Sequence, residues 1–308
     1  MKILVTGGLG FIGSAFIRKL LKHNNINVYN IDKRSYASFD HNKYFLKNKN
    51  YKFYKLNILN KSKIKKLIYK IKPNFIVNFA AETHVDRSIT NPEIFYKSNV
   101  LGTLNLATCI INLKLSNQIT FIQISTDEVF GSNMKKKPST EDSKYYPNSP
   151  YSASKAAADY IIRSFNKTYN LKTVIVHPSN NFGPYQYIEK LIPVVIISCI
   201  KKKQIPVYGK GLQVRDWLFV DDTANAIFKI LKNGKSGESY NITTRNLYKN
   251  IDIIEKICSL YDKLSQNKHK YSSKLISFVK DRPGHDFKYN ISNKKILRKV
   301  NWNFKKNF

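Results

Sequence analysis

Short apolar runs alternate with longer amphipathic stretches through the first half of the chain. The runs have the length and composition of buried strands, and the stretches repeat apolar residues at helical spacing. Strands are predicted at 2–6, 27–31, 51–56, 75–79, 120–125 and 173–177. Helices are predicted at 14–23, 61–71, 92–113 and 151–169. This alternation indicates an α/β fold, a doubly wound parallel sheet with helices on both faces.

The pattern changes after residue 178, where Pro184, Pro193 and Pro206 separate short segments. We therefore expect residues 1–178 to form the main domain and residues 179–308 to form mainly a smaller, substrate-binding α/β part. Segment 212–242 is expected to return to the main domain, with stretches near 217–231 and 237–242 reaching its sheet.

Composition favours a folded protein with a real core, since 42% of the 308 residues are hydrophobic. The formal net charge of +33 would suit nucleic acid or another anionic surface. The lysines are, however, spread along the whole chain, and short clusters such as 135–137 are typical of solvated loops. A general compositional bias is the favoured interpretation. No nucleic-acid partner is expected, and a basic nucleic-acid-binding protein stays as the non-enzymatic alternative.

The cysteines and the apolar segments bear on the cellular compartment. Cys109, Cys199 and Cys258 lie far apart, without metal-ligand spacing, which argues against a disulfide framework and against a metal site. No apolar segment approaches the roughly 20 residues that a membrane-spanning helix needs. We expect a soluble cytoplasmic protein that has no membrane partner.

A glycine-rich loop follows the first strand and opens the first helix. Gly7, Gly10 and Gly13 have the spacing G-x-x-G-x-x-G, with Phe11 and Ile12 between the last two. Such a loop lets the backbone approach a pyrophosphate closely, and the helix N-terminus stabilises the anion. Asp32 ends the second strand, where an acidic residue binds the adenosine ribose and favours NAD over NADP. The first domain is therefore predicted to be a Rossmann-type domain that binds NAD.

Two further motifs carry proton chemistry. Asp127 and Glu128 follow Thr126 at the end of an apolar strand, so two adjacent carboxylates meet different atoms of one substrate. Tyr151 and Lys155 share one face of a helix, where an ammonium lowers the pKa of a phenol. Each motif has a plainer interpretation, as a turn cap or as solvated helix residues. An acid, a base and an activated phenol together indicate proton transfer at several atoms of one molecule.

Tyr-x-x-x-Lys after such a glycine loop resembles the extended short-chain dehydrogenase/reductase superfamily, and Thr-Asp-Glu narrows the resemblance to its nucleotide-sugar 4,6-dehydratases. The resemblance covers nearly the whole chain. Related 4-epimerases are similar in the glycine loop and in the Tyr/Lys pair but lack the Asp-Glu pair. The matching segments are 80–88, 179–186, 189–193, 206–209, 215–218 and 281–286.

The resemblance implies a reaction in which NAD is reduced and then regenerated. Tyr151, assisted by Lys155 and Thr126, would take the proton of the sugar 4-hydroxyl while hydride passes to NAD. Glu128 would then remove the C5 proton, which the 4-ketone acidifies. Asp127 would protonate the departing 6-hydroxyl, and the hydride would return to C6. Two carboxylates with different tasks need different pKa values.

The resemblance also implies the binding residues. The cofactor set comprises Gly7, Gly10, Phe11, Ile12, Gly13, Asp32, Lys33, Asn57, Ile58, Ala80, Ala81, Thr83, Ser98, Tyr151, Lys155 and Asn181. The substrate set comprises His84, Thr126, Asn180, Lys190, Leu191, Ile192, Pro206, Tyr208, Arg215, Asn250, Asp281 and His285. Within it, Arg215 is implied as a clamp on the nucleotide phosphates, since a guanidinium suits bidentate phosphate binding.

Several alternatives stay open from the sequence. The substrate is expected to be a nucleotide sugar, dTDP-glucose or alternatively UDP-glucose, because no residue securely reads the base or the ribose 2′-hydroxyl. Epimerisation at C4 is the less favoured reaction, since it would leave Asp127 and Glu128 without a task. A homodimer is implied by the resemblance, with helices 92–113 and 151–169 as the contact.

Overall fold

The computed structural model describes residues 1–39, 42–135, 137–265, 271–306 and 308. Twelve strands are found among these residues. They are β1 Lys2–Thr6, β2 Asn27–Asp32, β3 Tyr51–Lys55, β4 Phe75–Asn78, β5 Thr120–Ile124, β6 Lys172–Pro178, β7 Asn180–Phe182, β8 Ile205–Tyr208, β9 Val214–Phe219, β10 Ser239–Ile242, β11 Leu247–Lys249 and β12 Ile276–Val279.

Seven of these strands form one parallel sheet, in the order β10-β6-β5-β4-β1-β2-β3. Its central strands β1, β4, β5 and β6 are buried on both faces because helices cover both. Ile3 and Val5 pack into the core on one face, and Leu4 packs into the core on the other. The chain order reverses between β1 and β4, which is where open sheets of this kind bind ligands. The predicted α/β fold with a doubly wound parallel sheet is confirmed.

Helices cover the sheet and build the second part. They are α1 Phe11–Leu20, α2 Asn42–Phe45, α3 Lys61–Ile71, α4 Val85–Thr90, α5 Pro92–Phe95, α6 Gly102–Asn112, α7 Pro150–Tyr169, α8 Leu191–Lys201, α9 Val220–Asn233, α10 Asn250–Leu264 and α11 Lys294–Val300. One face of the sheet packs against α1, α9 and α11. The other packs against α3, α6 and α7.

Two predicted helices differ in detail from the observed ones. The first begins at Phe11 rather than at residue 14, because helical geometry starts directly after the loop residue Gly10. The second, predicted as one helix over 92–113, is interrupted by a π-helical segment, Tyr96–Leu101, between α5 and α6. Amphipathic spacing alone does not distinguish a π-turn from an α-helical one.

The segment after residue 178 divides between the main sheet and smaller units. β10 is the edge strand next to β6, and α9 packs against α1. β9 instead lies between β11 and β7 in a separate three-stranded sheet, and β12 pairs with β8. A further apolar core joins α8, α10 and these small sheets. Within the described ranges, no helix combines the length and the apolar character needed to cross a membrane.

Candidate functional site

A cleft of about 290 Å³ opens at the carboxyl ends of β1, β2, β4, β5 and β6. It brings together the whole predicted cofactor set and the whole predicted catalytic set. Of the substrate set, Asn180 and Lys190 also line it. Nine others lie outside its lining: His84, Leu191, Ile192, Pro206, Tyr208, Arg215, Asn250, Asp281 and His285.

The glycine loop forms a cradle that side chains would fill. Gly7 has φ +69°, and a Cβ there would lie 2.6 Å from the backbone nitrogen of Ala80. A Cβ on Gly13 would lie 2.4 Å from the carbonyl oxygen of Gly7. Helix α1 begins at Phe11, directly after Gly10. Glycine has no side chain, so no side-chain cap occupies the first backbone N–H groups of the helix. The cradle therefore fits the pyrophosphate of a dinucleotide.

Asp32 fixes the loop as well as lining the cleft. Its carboxylate accepts hydrogen bonds from the backbone N–H groups of Leu9 and Arg34, at 3.0 and 2.7 Å. Burial raises its pKa, and these hydrogen bonds oppose the rise. The neighbouring Lys33 is paired with Glu82. The charge of Lys33 is therefore paired with Glu82. The carboxylate of Asp32 lies at the position where a bound NAD would present a ribose hydroxyl.

The two adjacent carboxylates lie on a short 3-10 turn, Asp127–Phe130, directly after β5. Thr126 caps this turn: its hydroxyl accepts from the N–H of Glu128 at 3.3 Å and donates to Asp127 Oδ1 at 3.4 Å. Asp127 is buried, and burial together with the charge of Glu128 raises its pKa well above the usual value. Burial also raises the pKa of Glu128, but Arg282, Arg215 and Lys190 oppose that rise.

Helix α7 supplies the phenol and the ammonium. Ser149 caps the helix in a reciprocal capping box with Ser152, and Pro150 occupies its first turn. Burial raises the pKa of Tyr151, the charge of Glu128 raises it further, and a hydrogen bond from Thr126 opposes the rise. The sequence predicts that Lys155 lowers the pKa of Tyr151. In the chain without cofactor the pKa of Tyr151 is instead raised, because burial has the largest effect.

Lys155 lies one turn after Tyr151 on the same helix. Its ammonium donates to the carbonyl oxygen of Ile124 at 2.5 Å. Burial lowers its pKa to about 8, and the charge of Asp159 opposes the fall.

Asp159 is a buried carboxylate that the sequence reasoning missed. It lies one turn after Lys155 and accepts hydrogen bonds from Ser125 and from the Tyr145 hydroxyl. His177 Nε2 lies 3.5 Å away, and both side chains are fully buried. The available signal was an acidic residue four positions after the lysine, on the same helix face.

Tyr289 is a second missed residue, and it contacts the predicted base. Its hydroxyl donates to Asp286 Oδ2 at 2.9 Å and lies 3.4 Å from Glu128 Oε2. The guanidinium carbon of Arg215 lies 4.1 Å from the centre of the Tyr289 ring. Arg215 also donates to the backbone oxygens of Val214, Asp286 and Phe287. Arg215 thus fixes the loop that brings Tyr289 to Glu128.

Two hydrogen bonds and an ion pair join the two parts of the chain beside the cleft. Lys190 Nζ donates to the backbone oxygen of Thr83 at 3.1 Å. Asp86 accepts from the Tyr208 hydroxyl at 3.2 Å and lies 3.5 Å from Arg282.

The remaining predicted substrate residues belong mostly to the second part. His285 Nδ1 lies 2.6 Å from Asp281 Oδ1, and His84 lies 3.9 Å from Glu189. Asn180 and Asn250 each hold a buried side-chain oxygen without a hydrogen-bond partner, which suits ligand contact. Leu191 and Ile192 begin α8, and Pro206 lies on β8.

Comparison with known proteins places these residues in a family context. The family described as GDP-mannose 4,6 dehydratase matches residues 4–308. A probable dTDP-glucose 4,6-dehydratase of Sinorhizobium fredii is 43% identical over 100% of this chain and 89% of its own. The structure of the dTDP-glucose 4,6-dehydratase DesIV from Streptomyces venezuelae, which contains NAD, has a TM-score of 0.91 and 35% identity, covering 100% of this chain and 93% of that one. The corresponding enzyme of Bacillus anthracis, also solved with NAD, has a TM-score of 0.87 and 40% identity over the same shares.

Proposed function

Since the chain belongs to the GDP-mannose 4,6-dehydratase family, we propose that it is an NAD-dependent hydro-lyase converting dTDP-glucose to dTDP-4-keto-6-deoxyglucose and water. One observation carries the proposal. A buried acid–base pair, Asp127 and Glu128, stands beside Tyr151 in a cleft whose other end is a dinucleotide cradle. Epimerisation needs the cradle and the phenol but has no use for this pair.

The residues in the cleft fit NAD. Bound there, NAD would supply the acceptor that takes the C4 hydrogen of the sugar and later returns it to C6. The backbone of the glycine loop and the start of α1 would hold the pyrophosphate, and Asp32 the adenosine ribose. Asn57, Ile58, Ala80, Ala81, Thr83, Ser98 and Asn181 line the rest of that space.

Tyr151 acts on the 4-hydroxyl. Its phenolate oxygen would accept the hydroxyl proton as C4 is oxidised, with Thr126 as hydrogen-bond partner. The ammonium of Lys155 and the positive nicotinamide would together favour the phenolate that burial disfavours in the chain alone.

Asp127 and Glu128 then carry out the elimination. Burial raises the pKa of Asp127 and so favours the protonated carboxyl that an acid delivering a proton to the 6-hydroxyl needs. Glu128 is faced by Arg282, Arg215 and Lys190, which favour its ionised form. An ionised Glu128 suits the base that removes the C5 proton. The different charges around the two carboxyls thus assign their roles.

The nucleotide end of the substrate would lie against the second part of the chain. Lys190, Arg215 and Arg282 bring positive charge close to Glu128, and this charge would attract the diphosphate of the substrate. Asn180 and Asn250 offer unpartnered oxygens. The other proposed contacts are His84, Leu191, Ile192, Pro206, Tyr208, Asp281 and His285. The same reaction on UDP-glucose is the second candidate substrate.

The test is a product assay with each nucleotide sugar, followed by NMR. The proposal predicts the 4-keto-6-deoxy product from dTDP-glucose, at a higher kcat/KM than from UDP-glucose. Glu128→Gln is the matched variant: it should still oxidise C4, seen as absorbance of reduced nicotinamide, but release about 100-fold less product. If the only product is the C4 epimer, or if Glu128→Gln turns over normally, the proposed elimination is wrong.

A homodimer is part of the same proposal. The helical segments 92–112 and 150–169 expose the large apolar side chains of Ile94, Tyr96, Leu101 and Tyr160, which an association of two chains could cover. The resemblance noted in the sequence implies a homodimer, and we propose these helices as the contact.

A further inference from the structure

Three segments that are far apart in the sequence meet beside the cleft. Segment 33–39 follows β2 in the first part of the chain, and segment 183–190 precedes α8 in the second. Residues of both segments line the cleft. Helix α4, which begins at Val85, lies next to them. One side chain from each of these three places joins the two sides of the cleft.

These side chains, Tyr36, Arg87 and Glu189, contact one another. The Tyr36 hydroxyl donates a hydrogen bond to Glu189 Oε1 at 3.0 Å. The guanidinium carbon of Arg87 lies 3.7 Å from the centre of the Tyr36 ring. A guanidinium nitrogen of Arg87 lies 3.6 Å from Glu189 Oε2. Each side chain therefore touches the other two, and we call the trio the clasp.

The contacts of the clasp support one another. An exposed ion pair by itself contributes little to stability, but the Arg87 guanidinium also lies over the Tyr36 ring. Tyr187 contacts the same ring edge-on, with 5.4 Å between the ring centres. Burial and the hydrogen bond to Glu189 raise the pKa of Tyr36, so its hydroxyl stays protonated and remains a donor at neutral pH.

The segment that carries Tyr36 is also attached to the proposed cofactor site. The N–H of Phe39 donates to the backbone oxygen of Leu9, in the glycine loop, at 3.0 Å. The Ser38 hydroxyl donates to Asp32 Oδ1 at 3.3 Å. The clasp therefore connects the loop beside the proposed ribose and pyrophosphate sites to the second part of the chain.

The proposed reaction uses one cofactor molecule twice. The hydrogen taken from C4 is returned to C6, so oxidation and reduction share one bound nicotinamide. If that molecule left between the two steps, the keto sugar would have no hydride to accept, and a fresh oxidised cofactor would not supply one. Residues that slow the release of the cofactor therefore serve this reaction directly.

We propose that Tyr36, Arg87 and Glu189 retain the cofactor in the cleft between oxidation at C4 and reduction at C6. Their contacts oppose the separation of segments 33–39 and 183–190, which line the cleft from its two sides. No bond to the cofactor or to the sugar is made or broken by these residues. This inference rests on the proposed function and adds to it the residues that keep the cofactor bound.

Tyr36→Phe and Arg87→Met test the clasp through the rate of cofactor release. Phe keeps the ring but lacks the hydroxyl that donates to Glu189, and Met keeps an unbranched stem but lacks the cation. Each protein is loaded with radiolabelled NAD and diluted into excess unlabelled NAD, and the retained label is followed over time. Because a partner of a charged group is lost, each variant should release label about tenfold faster than the wild type.

The double variant tests whether the two residues act together. Independent effects would multiply to about 100-fold faster release, whereas residues of one closed cluster are coupled and give less than that product. Tyr69→Phe is the matched control, because it removes a hydroxyl from a tyrosine that is 64% exposed on α3, away from the cleft. It should release label at the wild-type rate.

Turnover gives a second measurement. With dTDP-glucose and no added NAD, the clasp variants should form their first product at the wild-type rate. Their activity should then fall as cofactor is lost, and added NAD should restore it. The wild type and Tyr69→Phe should need no added NAD over the same number of turnovers.

Other outcomes overturn the proposal. Wild-type release in both clasp variants, or equally fast release in Tyr69→Phe, would exclude retention by the clasp. A wild-type protein that binds no NAD would exclude both the clasp and the cofactor. Failure of the proposed function looks different, since label release would still differ as predicted while no protein forms product. If circular dichroism shows that Arg87→Met does not fold, Tyr36→Phe, which differs by one hydroxyl, decides the test.

Discussion

Asp127 and Glu128 are neighbours in the chain, but different charges face their side chains. Burial raises the pKa of Asp127, and the charges of Glu128 and Asp216 raise it further, whereas Arg215 and the Thr126 hydrogen bond oppose the rise. Three cationic side chains oppose the rise at Glu128. The backbone turn separates the carboxyls, and the second part of the chain supplies the cations. This difference in surroundings supports the proposed roles of Asp127 as acid and Glu128 as base.

Asp159 governs the charge of Lys155 in this account, and a pH profile tests it. Burial lowers the pKa of Lys155 to about 8, so its ammonium form is lost as pH rises through that range. Asp159→Asn removes the negative charge that opposes this fall, so the pKa of Lys155 should fall further. We expect the alkaline limb of kcat to move to lower pH by roughly one unit.

Tyr145→Phe is the control for this shift. It removes a hydroxyl that hydrogen-bonds Asp159 at 3.1 Å but leaves the carboxylate charge in place. The alkaline limb should therefore stay where it is in the wild-type enzyme. An unmoved limb in Asp159→Asn, or an equal shift in Tyr145→Phe, would exclude electrostatic control by Asp159.

Residues with a local motif could be predicted from the sequence, and residues defined by distant contacts could not. Gly7, Gly13 and the Tyr151–Lys155 pair follow from spacing, because a few neighbouring positions fix their geometry. Tyr289 and Glu128 are 161 positions apart in the sequence, and no local pattern predicts that their side chains meet. The motif at 281–286 ended three residues before it.

The π-helical segment Tyr96–Leu101 contributes to the cleft. It places Ser98 in the lining and directs Asn99 to the backbone of Glu82 and to the Ser154 hydroxyl. π-Turns within helices are frequent at functional sites. The sequence predicted a continuous helix here, because the apolar spacing on either side of the π-turn is helical.

Two helical segments are the basis for the prediction that the chain forms a homodimer. If the segments 92–112 and 150–169 form the dimer contact, light scattering should give twice the 35.7 kDa chain mass. Leu101→Glu, at a position 48% exposed in the single chain, should shift the protein toward monomer. The reason is that a buried, unpaired carboxylate would oppose association.

Ile200→Glu is the matched control on another surface. Ile200 is 59% exposed on α8, outside the proposed contact, so this variant should keep the wild-type mass. A monomeric wild-type protein, or dissociation by both variants alike, would contradict the proposed interface.

At the scale of the whole molecule, the alternating pattern of the first half determined the large sheet. Its central strands β1, β4, β5 and β6 are apolar enough to be buried between helices, so the pattern implies parallel pairing. The small sheets of the second half were not predicted. Their strands have only three to six residues, with three in β7 and in β11, and they form through pairing across long stretches of sequence.

The proposed catalytic site draws on both parts of the chain. The first part supplies the proposed acid, base and phenol together with the cradle, whereas Lys190, Arg215 and Arg282 come from the second. These cations favour an ionised Glu128, so the proposed base depends on side chains from both parts. The overall positive charge adds a field that attracts an anionic nucleotide sugar.

The most direct test of the account follows one hydrogen atom. dTDP-glucose carrying deuterium at C4 is incubated with the NAD-loaded protein, and the product is examined by NMR and mass spectrometry. The account predicts 4-keto-6-deoxy product with the deuterium in its C6 methyl group. Deuterium lost to solvent, or retained at C4 of an epimerised sugar, would contradict it.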